Sequence, residues 1–189
     1  MNNKVLKFCT LFLLLVCTPI LAFEKEDLIR KIELTKTLTF QFVQKIEEKT
    51  QTGSCFLKYP LLLNCSYNDN LQKNLISNGK TLAVIQRRYK KIFYYRLKKT
   101  ALNFLSNKKL IIDHINYHDP ILSDGKIKFE IIDKNNNKLV INFDEKNLNL
   151  KGWETEDAYG KKVSFEIFNI KTNTKIEKDL FKIPKPEDL

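Results

Sequence analysis

The stretch GSCFLKYPLLLNCSYNDNLQKNLISNGKTLAV, residues 53–84, reads as two consecutive β-hairpins. The first turns at Tyr59-Pro60 and the second at Asn78-Gly79. Proline fixes φ and ends a ladder, while Asn-Gly supplies the positive-φ residues of a type I′ turn. Setting Cys55 opposite Cys65 puts Leu57 opposite Leu63. Side-chain alternation then gathers Cys55, Leu57, Tyr59, Leu63, Cys65 and Tyr67 on one apolar face with a staple across it.

Working outward, residues 24–37 read as a helix, with Leu28, Ile29 and Ile32 on one side and Glu24, Glu26 and Asp27 near its positive N-terminus. Residues 39–44 switch to period two, Phe40 and Phe42 facing one way and Gln41 the other. Strand continues through residues 81–95, with a turn at residues 88–90. Residues 100–107 (TALNFLSN) are a second helical candidate, placing Ala101, Leu102 and Leu105 on one side under a Thr100 N-cap. So short a helix is not stable alone, and its apolar face must lie on something.

From Ile111 onward the pattern predicts strand almost throughout. Ile127, Phe129 and Ile131 alternate with lysines and Glu130; Leu139, Ile141 and Phe143 form the next such row, then Leu148 and Leu150, then Val163, Phe165 and Ile167. Turns fall at Asp124-Gly125, Asn135-Asn136-Asn137 and Tyr159-Gly160, and Asp179-Leu180-Phe181 closes the fold before Pro184 and Pro186. Strands apolar on one side and charged on the other suit one antiparallel sheet with one solvated face. A two-sheet sandwich would also hide the apolar faces, but the even division and Greek-key signals of a sandwich are missing. A single large sheet curls, and two short helical pieces cover it incompletely, which predicts a mainly β (α+β) fold with an apolar cavity under a thin lid. Phe40, Phe42, Leu57, Tyr59, Leu63, Leu102, Leu105, Phe129, Ile131, Leu139, Ile141 and Leu150 are the candidates to line that cavity; each serves equally well as ordinary core.

Residues 1–22 read as a signal peptide. Lys4 and Lys7 precede an apolar run too short to span a bilayer, and Ala22 offers a small residue for cleavage before Phe23. The rival is a lipid-anchored start at Cys17, preceded by Leu14-Leu15-Val16. Residues 23–189 are then one domain, expected to be soluble. Cys9 and Cys17 leave with the leader, and the remaining Cys55 and Cys65 read as a disulfide of an oxidising compartment, two free buried thiols being the alternative. The net charge is +11, or +9 once Lys4 and Lys7 are removed, and in an exported chain it points to an anionic membrane or an acidic protein rather than to nucleic acid. The basic, aromatic-rich segment at residues 87–99 (RRYKKIFYYRLKK) is either a row of outward lysines on an edge or hairpin, or a docking segment. His114 and His118, read as strand, stand about 13 Å apart, which argues against a metal pair. The five glycines never approach phosphate-loop spacing, and neither G-x-S-x-G nor H-E-x-x-H occurs. The chain is therefore read as no enzyme, with no cofactor and no metal.

Four segments resemble the periplasmic outer-membrane lipoprotein carrier family (LolA-like), in order and at matching spacing. They are residues 38–44 (LTFQFVQ) with the family's F-x-Q strand, residues 53–60 with its G-x-L-x-x-K-R-P strand, residues 77–82 (SNGKTL) with its S-D-G-K-x-L hairpin, and Trp153 to Gly160 followed by Asn173-Thr174 and Phe181-Lys182-Ile183 with its ending. The resemblance implies an incomplete β-barrel with short helices as a lid, holding the acyl chains of a lipoprotein. It implies as partners an inner-membrane lipoprotein-releasing ABC transporter and an outer-membrane lipoprotein receptor, a periplasmic location and a monomeric carrier. The family's arginine before the proline, which helps hold the lid closed, is matched here by Tyr59, whose phenol donates a hydrogen bond without charge. The family's aromatic three residues after that proline is matched by Leu63. A lipid- or lipoprotein-sensing domain of the same fold is the neighbouring reading, and an envelope-lipid hydrolase, with only His114 and His118 as bases, is the distant one.

Overall fold

A computed structural model of the protein describes residues 24–132, 138–156 and 160–189. The leader at residues 1–22, its cleavage point, Cys17 and the Asn135-Asn136-Asn137 turn lie outside the described residues; of the Tyr159-Gly160 turn only Gly160 lies within them.

Among the described residues three α-helices and eleven strands follow one another. α1 (Lys25–Leu34) leads into β1 (Thr37–Ile46), β2 (Lys49–Lys58), β3 (Leu62–Tyr67), β4 (Lys73–Asn78), β5 (Thr81–Gln86) and β6 (Lys91–Arg96). Then come α2 (Ala101–Leu105) and α3 (Lys108–Tyr117). The chain ends through β7 (Ile121–Ser123), β8 (Lys126–Ile132), β9 (Lys138–Asp144), β10 (Leu150–Glu156) and β11 (Lys162–Thr172). All strands join one antiparallel sheet in the order β6-β5-β4-β3-β2-β1-β11-β10-β9-β8-β7, so the sandwich alternative is excluded. The sheet stays open, with β6 and β7 at its edges and the first strand paired to the last, Phe42 opposite Ile167.

The opening hairpin has the predicted register: Cys55 faces Cys65, Leu57 faces Leu63, and the two cysteines are disulfide-bonded with their Cα atoms 4.1 Å apart. Phe42 lies over the same hairpin because Gly53 opposite it has no side chain; a Cβ there would stand 2.5 Å from the Phe42 ring and 2.2 Å from the Ser66 carbonyl oxygen. Phe40, Phe42, Leu57, Leu63, Phe129, Ile131, Leu139, Ile141 and Trp153 join the α1 residues Leu28 and Ile32 in one core on the concave face. Each fully buried Leu, Ile or Phe contributes about 1.5–3 kcal/mol relative to exposure. A satellite cluster of Ile76, Ala83 and Ile85 packs on Ile92, Ile183 and Leu189.

Several local expectations are corrected. Residues 108–117 are helix, not strand: Ile111 and Ile115 are one turn apart, and both are buried. The inside of the sheet is thus covered by three helices rather than two. Asn78 keeps a negative φ, so the second hairpin turn is not type I′; Gly79 alone takes φ +96°, and the Asn78 side chain accepts from the backbone N–H groups of Lys80 and Thr81. Leu148 sits in a turn with φ +58° and the strand begins only at Leu150. Thr100 precedes α2 as expected, but its hydroxyl donates to the Leu97 carbonyl instead of capping the helix.

Candidate functional site

Between the concave face and α2 lies a cavity of about 220 Å³. Its wall is almost wholly apolar: Phe40, Leu57, Leu63, Cys65 and Leu75 come from the sheet, Ala101, Leu102 and Leu105 from α2, and Leu150, Trp153 and Phe165 from the far strands. Trp153 stacks on Phe165 with ring centroids 4.4 Å apart, which floors the space with an aromatic pair, and behind that wall Phe42 meets Tyr67 edge-on at 4.9 Å. A second hollow of about 40 Å³ lies beneath α1 and α3, bordered by Ile32, Tyr59, Ile111 and Phe143. Leu105 and Leu150 touch both spaces and separate them.

Few polar groups reach the larger cavity. Gln44 is buried, and its Oε1 has no hydrogen-bond partner among the described residues. Tyr67 carries the Lys73 ammonium 3.6 Å above its ring, and Lys73 also donates to Gln51 Oε1 at 2.8 Å. Burial pushes the Tyr67 phenol up, helped by Asp69, and pushes Lys73 down against the pull of Asp69.

The cover is thin and held mainly at its ends. α2 has five residues, and the Leu61 N–H of the first hairpin turn donates to its C-terminal Ser106 carbonyl at 2.8 Å. The next helix begins at Lys108, whose ammonium donates to the carbonyls of Glu33 (2.8 Å) and Thr35 (2.9 Å), at the C-terminal end of α1. The same ammonium lies 5.4 Å above the centre of the Tyr59 ring. Burial pushes the Tyr59 phenol up, which keeps it neutral, and depresses Lys108, with Glu33 opposing and Lys36 reinforcing that shift. One lysine therefore joins α3, α1 and the hairpin turn. Asn173 fixes the other side of α1, accepting from the Lys36 N–H and donating to the Leu34 carbonyl.

The family model for the outer membrane lipoprotein carrier protein LolA matches residues 33–184 of this chain. The chain belongs to the LolA family. No curated protein matches it in sequence. Among solved structures, an uncharacterized conserved protein from Thermus thermophilus superposes with a TM-score of 0.53 at 9% identity, over 85% of this chain and 93% of that one. A LolA superfamily protein from Nitrosomonas europaea gives 0.49 at 10% identity, over 86% and 99% of the two chains. A chain of the MucA/MucB complex of Pseudomonas aeruginosa gives 0.48 at 9% identity, over 85% and 60%. At such identities the likeness is one of fold alone.

Within this LolA fold the twelve candidate residues divide. Phe40, Leu57, Leu63, Leu102, Leu105 and Leu150 border the larger cavity, and Tyr59 borders the smaller one. Phe42, Phe129, Ile131, Leu139 and Ile141 pack in the concave core away from both. Trp153, Phe165, Leu75 and Gln44 border the cavity as well; alternation carried that signal for Gln44, two residues from Phe42, and for Phe165, two from Ile167, whereas a register shift between Leu150 and Gly152 hides Trp153 from it and Leu75 has no such neighbour on its strand.

The two histidines are brought together. On α3, His114 and His118 are one turn apart and stack with ring centroids 4.1 Å apart, not the 13 Å of an extended strand. His114 also meets Phe104 and Phe129 edge-on. Burial and the neighbouring His118 depress its pKa, against a hydrogen bond to the Glu130 backbone. Among the described residues no group of three His, Cys, Asp or Glu is placed to hold a metal ion, and no helix is long and apolar enough to cross a membrane.

Proposed function

We propose that this protein is a periplasmic lipoprotein carrier, exported by the leader at residues 1–22 and acting through the domain at residues 23–189. It takes the acyl chains of lipoproteins released by an inner-membrane ABC transporter and hands them to an outer-membrane receptor. The observation that carries this reading is the apolar cavity closed by a five-residue helix, in a chain of the lipoprotein-carrier family.

The physics is that of binding without chemistry. Moving acyl chains from water onto the wall formed by Leu57, Leu63, Leu102 and Trp153 gains about 25 cal/mol for each Å² removed from water. At about 220 Å³ the cavity is smaller than the roughly 300 Å³ at which ligand pockets begin, so cargo enters by displacing α2 outward. Release requires only that a receptor bind the chains better than this surface does.

The test is native mass spectrometry of protein purified from periplasm, beside a delipidated control. Co-purifying triacylated lipoprotein at near-equal stoichiometry is the expected result. Free phospholipid alone, or nothing even when the lid is weakened to trap cargo, would overturn the reading.

A further inference from the structure

Edge strand β6 and the turns on either side of it carry a surface that cargo binding does not use. Residues 87–99 hold seven cations and no acid, and every one of the seven is exposed. None of them forms an ion pair among the described residues. Interleaved with them stand Tyr89, Phe93, Tyr94 and Tyr95, exposed by 56%, 43%, 55% and 50%. Large aromatics this exposed need a reason, and uncompensated charge beside them narrows it.

The register says how the aromatics point. Cavity-lining Leu75 pairs with Val84, and Val84 pairs with Phe93, so Phe93 and its alternate Tyr95 extend the concave wall beyond the lid. Tyr94 lies on the opposite face, in the row of Ala83 and Ile76. A protein partner laid on this edge would cover one face of the sheet. A zone several ångströms deep, apolar inside and anionic at its rim, would surround both.

We propose that β6 and its flanking turns dock edge-on into the headgroup region of an anionic phospholipid bilayer, setting the extended end of the cavity wall against the membrane. Tyrosines partition to that interface with ring inward and hydroxyl outward, and lysines and arginines pair with lipid phosphates. The open N–H and C=O groups of an edge strand find water and phosphate there, which the hydrocarbon interior would deny them. The proposal deepens the carrier reading, on which it rests: a carrier that touches the bilayer at the end of its own cavity shortens the path acyl chains travel through water.

The test is flotation of the mature protein with vesicles of phosphatidylcholine alone and of phosphatidylcholine mixed with phosphatidylglycerol. Binding is expected only to the mixed vesicles, falling with added salt. It should weaken about fivefold for each charge removed across Lys91→Gln, Arg96→Gln, Lys98→Gln and Lys99→Gln. Phe93→Trp and Tyr94→Trp, on opposite faces, should both shift to the blue above the constant Trp153 signal. Failure to bind the mixed vesicles, equal binding to both kinds, charge variants that bind as the parent does, or a shift at one tryptophan only would each overturn the proposal. So would capture of a strongly acidic protein by the same segment without vesicle binding. A fluorescent fatty acid titrated into the same proteins keeps the two readings apart: if it binds while vesicles do not, docking fails and the carrier stands; if vesicles bind while it does not, the carrier reading fails.

Discussion

Lys108 is the point at which the closed lid should be weakest to a single change. Its ammonium donates to the Glu33 and Thr35 carbonyls and sits over the Tyr59 ring, so three segments separate if it is lost. Lys108→Met keeps the aliphatic stem and removes only the charge and its donors. The two partly exposed bonds to a charged donor are together worth about 1.5 kcal/mol net after solvent screening, and the cation–ring contact about 0.5 kcal/mol. The sum, about 2 kcal/mol, corresponds to a factor of about 30 in the equilibrium between closed and open lid. Stopped-flow release of a fluorescent fatty acid, with urea unfolding alongside, measures both consequences. Release about 30 times faster, largely restored in Lys108→Arg, is the expected result. A variant that loses about 2 kcal/mol of global stability but releases at the parental rate would refute the reasoning, because Lys108 would then hold the fold and not the lid.

Removing the disulfide with Cys55→Ala and Cys65→Ala frees a loop of sequence separation 10 and should cost about 2–3 kcal/mol, read as a lower urea midpoint at unchanged slope; an unchanged midpoint would contradict it. Gln44→Leu removes the buried acceptor with no partner and should stabilise the empty protein by about 1–3 kcal/mol, whereas a lower midpoint would mean that Gln44 is satisfied in the empty state. His114 is held below its ordinary value of 6.5, so the unfolded chain binds the extra proton first: its contribution is complete above about pH 6.5 and is lost as pH falls below that. Thermal melts from pH 7.5 to 5 (roughly the window of that titration) should show the parent losing more stability than His114→Leu, and parallel curves would rule this out.

The hairpin at residues 53–67 was legible because two independent signals agree there: alternation places Leu57, Leu63 and Tyr67 together, and the cysteine pair fixes the register. The large cavity followed from the same rule applied strand by strand. α3 was not legible by that rule. In KKLIIDHINY the β-branched Ile111, Ile112 and Ile115 favour extended chain, and Ile115 and Tyr117, alternating with His114, Asn116 and His118, imitate a period of two. The helical signal, Ile111 and Ile115 four apart, is only two residues strong, and the helix exists because those two side chains and His114 find a core to lie on. The latch was hidden for a related reason. Its cation and its ring are 49 residues apart in sequence, at Lys108 and Tyr59, and only the placement of α3 brings them together.

The pairing of β1 with β11 also dictates when the molecule can assemble. Every other sheet contact among the described residues is made between neighbours along the chain, in two runs of hairpins. The bond between these halves joins the first strand to the last, and closing so long a loop costs entropy that no earlier contact offsets. A ribosome must therefore release nearly the whole polypeptide before the middle of the sheet can exist. On the proposed carrier reading, in which the chain is threaded through a membrane, such lateness is protective, because the junction at the middle of the sheet cannot form until the final strand has emerged on the far side.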